Sequence, residues 1–273
     1  MPPEPTPVVL TTGCSSGIGR ATARRFLAAG WRVWATSRNP ADVAELARES
    51  CRTAALDVTD AEQVDRVVDA VVERDDRIDC LVNNAGFGQA GAVEEVPVDR
   101  LRAQFEVNVF GPVRLVQAVL PHMRAAESGA IVNVSSLLGR VVYPTSGAYA
   151  GSKHALEALS DALRMEVAGF GVDVVLVEPG AVRTGFDDRL RETQGSVHER
   201  PVYERLRRVV DVAQRLSERT AVSPDRVADV VYEAAVSTDP EARYVVGWDA
   251  RVAVLADRLL PARATEWLYE RLV

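Results

Sequence analysis

Short apolar runs alternate with helix-forming stretches along almost the whole chain, and this beat limits the possible folds more than any other feature. Val8–Thr11, Trp31–Thr36, Thr53–Leu56, Ile78–Val82, Ala130–Val134 and Asp173–Glu178 read as strands. Between them, Arg20–Ala29 (with Gly30 as a cap), Ala41–Glu49, Ala61–Asp75, a long stretch over Val98–Ala126 and Tyr149–Gly169 read as helices. Strands that are apolar throughout are buried on both faces, and strands joined through helices run parallel. The pattern predicts one α/β domain over residues 1–273, a parallel sheet with helices on both faces. The beat is interrupted only by an insertion at about 182–223 and a terminal segment at about 242–273.

Composition closes off several function classes. A net charge of −7 with no basic stripe excludes a nucleic-acid partner. No run of eighteen apolar residues occurs, so no transmembrane segment is expected. The start, MPPEPTPVVL, lacks the pattern of a secretory signal, and the expected location is cytoplasmic. Cys14, Cys51 and Cys80 are too scattered for a disulfide framework or a metal site and read as buried small hydrophobes. His122, His154 and His198 do not suggest a metal either, so none is expected.

Between the first strand and first helix lies TGCSSGIGR, Thr12 to Arg20, with Gly13, Gly17 and Gly19. Glycines here allow a sharp turn and close approach to a pyrophosphate, while the helix N-terminus offers free N–H groups and a positive dipole end. The spacing is GxxxGxG rather than the GxGxxG of the usual dinucleotide fingerprint, but the position between strand and helix favours a cofactor cradle over a plain turn. An NAD site usually carries an acid at the end of the second strand. This chain has Thr36-Ser37-Arg38 there. Arg38, with Ser16 as a second donor, suits a ribose 2′-phosphate, which favours NADPH/NADP+ over NADH/NAD+. The less favoured reading of Arg38 is a solvated surface residue.

Tyr149 and Lys153, in YAGSK, stand at i and i+4 and share a helix face; Ser136 in IVNVSS lies thirteen residues before the tyrosine. A phenol titrates near pH 10, out of range for acid–base work at neutrality. A cation about 4 Å away at an effective dielectric of about 20 contributes about 4 kcal/mol, or about 3 pH units. Such a tyrosine can move a proton onto or off a carbonyl or alcohol oxygen that Ser136 hydrogen-bonds. Taken singly, each of these residues has an ordinary structural reading.

With the glycine turn, NNAG at Asn83–Gly86 and YAGSK in this order, the chain resembles the short-chain dehydrogenases/reductases over about residues 6–185. The resemblance implies a single Rossmann-like doubly wound α/β domain with a mostly parallel seven-stranded sheet, and an oxidoreductase of the CH–OH type. It implies that Thr12, Gly13, Ser15, Ser16, Gly17, Ile18 and Gly19 hold the pyrophosphate. Asp57 with Val58 would face the adenine, and Asn84, Ala85 and Gly86 would border the ribose. Pro179, Gly180, Val182 and Thr184 would lie at the nicotinamide. It assigns catalysis to Asn108, Ser136, Tyr149 and Lys153, with Asn108 holding a proton-relay water and Lys153 also bonding the ribose. Ser135 precedes Ser136, and the thirteen-residue step favours Ser136. TGCSSGIG, Arg38 and EPGAVRTGF look like the branch with 17β-hydroxysteroid and retinol dehydrogenases, so the substrate is expected to be a hydrophobic ketone, aldehyde or alcohol. Members commonly form homodimers or homotetramers.

The insertion is expected to form a substrate lid, with Phe186, Leu190, Val197, Tyr203 and Leu206 lining a pocket or packing on the body. The terminal segment, Arg251 to Val273, reads as amphipathic helix broken at Pro261, with Trp267, Leu268 and Leu272 apolar. Two rival readings stand. One is a non-catalytic NADP(H)-binding sensor on the same fold, although all four catalytic positions are kept. The other is an acyl-thioester ketoreductase whose carrier would need a basic patch at Arg205, Arg207 and Arg208.

Overall fold

A computed structural model describes residues 5–186, 190, 193, 200–259 and 271. Seven strands form one sheet in the order β3-β2-β1-β4-β5-β6-β7, every pairing parallel. They are β1 (Val8–Thr11), β2 (Arg32–Ser37), β3 (Arg52–Ala55), β4 (Cys80–Asn83), β5 (Gly129–Val134), β6 (Val172–Pro179) and β7 (Arg243–Val246). The fold is thus the Rossmann-like α/β sheet that the alternating pattern predicts. The seventh strand that the resemblance implies lies at the start of the terminal segment, ahead of Arg251, where the residues alone mark no strand.

The order reverses beside β1: β2 and β3 lie on one side of it, β4 to β7 on the other. The crevice at such a reversal, at the carboxyl ends of the strands, is where open α/β sheets bind ligands. Both sheet faces are covered, as uniformly apolar strands require. On one face α1 (Gly17–Ala28) meets a later helix, Pro224–Val236, and buries Phe26, Val227 and Val231 against Val9 and Val33. On the other lie α3 (Ala61–Asp75) and α5 (Gly111–Ala126), with Val64, Val68, Leu115 and Val119 against Leu10 and Leu81. The buried positions of α3 recur as 64, 67, 68 and 71, the i, i+3, i+4, i+7 stripe of a helix on a sheet. Asp60 caps α3 by accepting from the Gln63 N–H at 3.1 Å.

Two expected helices are divided. Ala41–Glu49 resolves into a 3-10 turn, Pro40–Val43, and the short α2, Ala44–Arg48. The long stretch from Val98 becomes α4 (Val98–Phe105), a π-helical turn at Glu106–Phe110, and α5. A π turn inserts one extra residue, commonly at a functional position, and Asn108 sits in this one. The remaining described helices are α6 (Gly147–Val167), α7 (Glu204–Glu218), α8 (Pro224–Val236, the helix against α1) and α9 (Trp248–Leu259). The ends of the segment 182–223 pair with each other: the Val222 N–H donates to Ala181 O at 3.0 Å, and the Arg183 N–H to Val222 O at 2.9 Å. Val197, Pro261, Trp267, Leu268 and Leu272 lie outside the described residues.

Cys14, Cys51 and Cys80 are buried and unpaired; burial pushes the Cys14 thiol up to about 12 and Cys51 to about 11. Among the described residues no metal-binding cluster occurs, and no helix is long and apolar enough to cross a membrane. Behind the sheet, the fully buried Asp75 carboxylate accepts from Trp34 Nε1 at 2.8 Å and Arg32 Nη1 at 3.0 Å, and also pairs with Arg52. It ties the end of α3 to β2 and β3. Replacing it leaves a buried indole N–H without an acceptor and two arginines without their partner. Asp75→Ala is expected to lower stability by about 2–3 kcal/mol in urea unfolding, with the unfolding slope unchanged.

Candidate active site

The carboxyl ends of the strands gather nearly every motif picked out from the sequence. Thr12 follows β1, Arg38 follows β2, Asp57 follows β3, Asn84 follows β4, Ser135 and Ser136 follow β5, and Gly180 follows β6. Sequence-distant residues meet there because parallel strands all end on the same edge.

The glycine turn is built against NNAG. Thr12 Oγ1 accepts from the N–H groups of Asn84 and Ala85, both at 3.0 Å. Asn84 Nδ2 returns to Thr12 O at 2.9 Å and Gly13 O at 3.2 Å. Gly13 has φ +70°, and a Cβ there would come within 2.8 Å of Ala85 Cα. A Cβ on Gly19 would overlap Asn84 Nδ2 and Gly13 O. Gly17 opens α1 at φ +55°, with Thr184 directly over it. These glycines therefore keep backbone close to backbone and place no side chain of their own at the α1 N-terminus, a cradle shaped for a phosphate with Thr184 at its rim. Arg20 holds the Ser15 carbonyl from the flank, and Ile18 packs toward the core.

No acid stands at the end of β2: Arg38 is exposed there, and among the described residues no ion pair engages it. Asp57 turns one carboxylate oxygen to the Thr59 N–H at 2.9 Å and hydroxyl at 2.8 Å. Val58 is buried against Gly111, so only its main chain can meet a ligand. At the far side Val182 and Thr184 follow Pro179-Gly180. Asp249, at the start of α9, accepts from the Ala181 N–H at 2.8 Å, and its carboxylate fills the space a side chain on Gly180 would need. Asp249 thus fixes the Gly180 loop. It lies 69 positions away in sequence with no motif around it, which is why the sequence did not reveal it.

Tyr149, Ser152 and Lys153 sit in the first two turns of α6, all buried. Lys153 Nζ donates to Val134 O at 2.8 Å and lies 5.8 Å from the Tyr149 ring centre. Burial lowers the Lys153 pKa to about 8, opposed by the negative charge of Glu157 one turn on. Ser136 is half-buried at the end of β5, its Oγ accepting from the Leu138 N–H at 3.1 Å, while Ser135 is buried beneath it. Asn108 is not open to a relay water on every side. Its Oδ1 accepts from the Phe87 N–H at 3.1 Å, and its Nδ2 donates to Phe87 O at 2.9 Å and Ser152 Oγ at 3.0 Å. Its amide instead clamps the π turn to the loop after β4 and to α6. Ser152, whose hydroxyl also donates to Tyr149 O at 2.7 Å, is a positioning residue hidden inside the motif that announces Tyr149.

From the insertion, Phe186 lies 5.5 Å from the Tyr149 ring, and Leu190 meets Gly88. Tyr203 donates to Glu94 at 2.7 Å, and Arg207 pairs with the buried Glu95 at 3.0 Å. Sequence reading named Arg207 for a basic patch; its charge is instead taken up within the fold.

A sheet edge with a phosphate cradle on one side and a buried tyrosine–lysine pair on the other defines a dinucleotide-binding oxidoreductase. The family model for short chain dehydrogenase matches residues 7–195, and the chain belongs to that family. Three relatives illustrate its neighbourhood. The chain is 38% identical to the uncharacterized oxidoreductase YbbO of Escherichia coli (strain K12), over 94% of this chain and 92% of that one. It is 35% identical to the NADPH-dependent 3-dehydrocapnine reductase of Ornithobacterium rhinotracheale, over 92% and 93%. It is 32% identical to the 3-ketodihydrosphingosine reductase of Bacteroides thetaiotaomicron, over 97% and 94%.

Solved structures agree. A short-chain dehydrogenase from Streptomyces avermitilis superposes with TM-score 0.83 at 36% identity, covering 99% of this chain and 98% of that one. A metagenomic short-chain oxidoreductase in complex with NADP gives 0.71 at 28%, over 88% and 96%. A Burkholderia phymatum member in complex with NAD gives 0.79 at 26%, over 96% and 95%. The protein is an oxidoreductase acting on CH–OH groups with a nicotinamide dinucleotide.

Behind this edge Glu178 of β6 is fully buried, and burial followed by the nearby Glu157 raises its pKa to about 7 from an ordinary 4.5. The folded chain therefore holds this proton where the unfolded chain has released it, and the neutral carboxyl's contribution is lost as pH rises from about 4.5 through about 7. Glu178→Gln keeps the neutral shape. Thermal unfolding of the variant is expected to gain on wild type steadily from pH 5 to pH 8; a constant gap between the two would contradict it.

Proposed function

We propose that the protein interconverts a ketone or aldehyde and an alcohol with NADPH/NADP+, Tyr149 acting as general acid or base. The observation that carries the proposal is the buried Lys153 ammonium beside the Tyr149 ring at the same sheet edge as the cradle. In this reading the α1 N-terminus and the Thr12–Gly19 turn hold the pyrophosphate, with Ser16 and Arg38 on the 2′-phosphate. Asp57 and the Val58 main chain border the adenine, Asn84 to Gly86 the ribose, and Pro179 to Thr184 the nicotinamide. Bound NADPH supplies the hydride.

The residues supply the rest. Ser136 hydrogen-bonds and orients the carbonyl oxygen. Tyr149 gives that oxygen a proton in reduction and takes one in oxidation, while the positive charge of Lys153 favours the phenolate. Asn108 keeps α6 and the Phe87 loop in register, with one Oδ1 lone pair left for a relay water.

The substrate we infer is an apolar ketone. Phe186 beside Tyr149 and Leu190 over Gly88 make the approach hydrophobic, and two relatives are named for reducing 3-dehydrocapnine and 3-ketodihydrosphingosine. Segment 182–223 serves as the lid, latched by Arg207 on Glu95. The carrier-bound thioester reading loses support, because Arg207 and Arg208 are paired with Glu95 and Glu204. We take the working form to be a cytoplasmic homodimer or homotetramer, with Phe110, Leu159 and Met165 as exposed apolar surface for such contacts.

Two measurements test the proposal. Tyr149→Phe is expected to cut NADPH-dependent ketone reduction about a hundredfold or more while leaving nucleotide binding intact; near-normal turnover would sink the assignment. By nicotinamide fluorescence, Arg38→Ala is expected to weaken NADPH about 10–150-fold and leave NADH nearly unchanged, as loss of a charge-assisted hydrogen bond requires. Equal loss for both nucleotides would refute the 2′-phosphate contact.

A further inference from the structure

Lys153 is the only lysine in the chain; the rest of its 32 basic Lys and Arg residues are arginines. It stands on a stripe of α6 that continues one turn at a time: Tyr149, Lys153, Glu157, Asp161. Below Lys153 this stripe enters a partly buried ionic cluster, centred on the buried Glu157 and Glu178, that neither the cradle nor Tyr149 requires. Arg243 of β7 donates from Nε to Glu157 at 3.0 Å and from Nη2 to Asp161 at 2.6 Å. The same Nε lies 3.2 Å from Glu178 of β6, an ion pair without a hydrogen bond, so two carboxylates flank one guanidinium nitrogen. Arg140, after the turn that Ser136 caps, reaches Glu178 at 3.2 Å, and Arg164 closes on Asp161 at 2.6 Å.

Three polar atoms at this place are buried with no hydrogen-bond partner among the described residues: Glu157 Oε1, Glu178 Oε2 and Ser135 Oγ. Glu157 Oε1 and Ser135 Oγ lie 3.0 and 2.6 Å from the point that a Cβ on Gly139 would occupy, so they face one small space beside Gly139, in the turn that Ser136 caps. A scaffold ion pair has no need of unsatisfied carboxylate oxygens, which are costly when buried. Two carboxylates set on one guanidinium, each keeping an open oxygen, are instead suited to a site where Glu178 retains its proton.

We propose that Glu157 and Glu178, joined through Arg243, are positioning residues that fix the charge of Lys153 and thereby the working pH of Tyr149. This rests on reading Tyr149 and Lys153 as the reacting pair. Burial alone drives Lys153 toward the neutral amine, which would withdraw the positive charge that favours the phenolate. Glu157 is the acid that opposes this. As pH rises through about 7, Glu178 gives up its proton, and the added negative charge holds the ammonium further into the alkaline range. Among the described residues Lys153 faces Tyr149 and Glu157 on its own helix and the Val134 carbonyl of β5; beyond Glu157 lie Glu178 of β6, Arg140 of the Ser136 turn and Arg243 of β7.

The single lysine makes the test direct. In the full-length protein labelled with 13C-lysine, the one side-chain Cε resonance reports the charge of Lys153 without any turnover. Wild type is expected to titrate near 8, with a smaller inflection near 7 from Glu178. E157Q is expected to move the main midpoint down by about one pH unit or more. E178Q is expected to remove the inflection and lower the midpoint by less. In alcohol oxidation, the acid limb of kcat/KM against pH is expected to shift to higher pH in E157Q, with KM for NADP+ unchanged.

A wild-type midpoint near the ordinary lysine value of about 10.4, or one that E157Q leaves in place, overturns the proposal. Should E157Q fail to fold, E178Q decides it, since an inflection that survives there cannot belong to Glu178. A wild type that reduces no ketone with NADPH would instead remove the function proposed above, while the resonance still reads the coupling itself.

Discussion

A parallel strand cannot be joined to its neighbour by a tight turn, and everything else in this molecule follows from that constraint. Each return to the sheet needs a crossover, the crossovers are helices, and the helices cover both sheet faces. Only the edges of the sheet remain open to solvent, and at the carboxyl edge the main-chain polar groups of successive strand ends come together. β1 and β4 diverge there toward opposite sides of the sheet, leaving a crevice that Thr12 and Asn84 line and lock to each other. The glycines belong to that lock as much as to any ligand: side chains on Gly13 or Gly19 would strike the asparagine clamp before they met a phosphate.

The same edge imposes a different problem at Tyr149. Placing an ammonium beside a phenol is useful only if water is kept out, yet excluding water favours the uncharged amine. The fold meets this conflict by running α6 on past the site, so that the residue one turn after Lys153 is Glu157 and the next is Asp161. Arg164 of α6 and Arg243 of β7 then hold those acids in place, and Arg140 from the Ser136 turn holds Glu178 beside them. The electrostatics of the site therefore depend on β7, a strand more than eighty residues beyond Lys153 in sequence.

How much of this could be read in the sequence depends on the range of the interaction. The β–α alternation, the glycine turn and the Tyr149–Lys153 spacing are local, and α3 is placed over Ala61–Asp75 because its apolar stripe and Asp60 cap lie within it. The π turn around Asn108 was read as continuous helix. Its cause is a long-range clamp to Phe87 and Ser152, and hydrophobic periodicity carries no trace of that. β7 was missed for a similar reason: RYVV is short and only partly buried, and what makes it a strand is pairing with β6. Asp249, Glu95 and Glu178 each act through partners 38 to 112 positions away. In sequence each looks like one more acid among 39.

The choice of arginine for every other basic position sharpens the role of the one lysine. A guanidinium stays charged in any protein environment and forms planar, multiply bonded pairs, which is what Arg52, Arg207 and Arg243 do. An ammonium on a buried stem is the basic group whose charge the surroundings can adjust. In the proposed reaction lysine stands where an adjustable cation is useful, beside the phenol that would move a proton, and arginine where a fixed one is enough. The cluster around Glu157 and Glu178 joins the two kinds: arginines hold both acids, and in the proposal above the proton on Glu178 tunes the adjustable charge on Lys153.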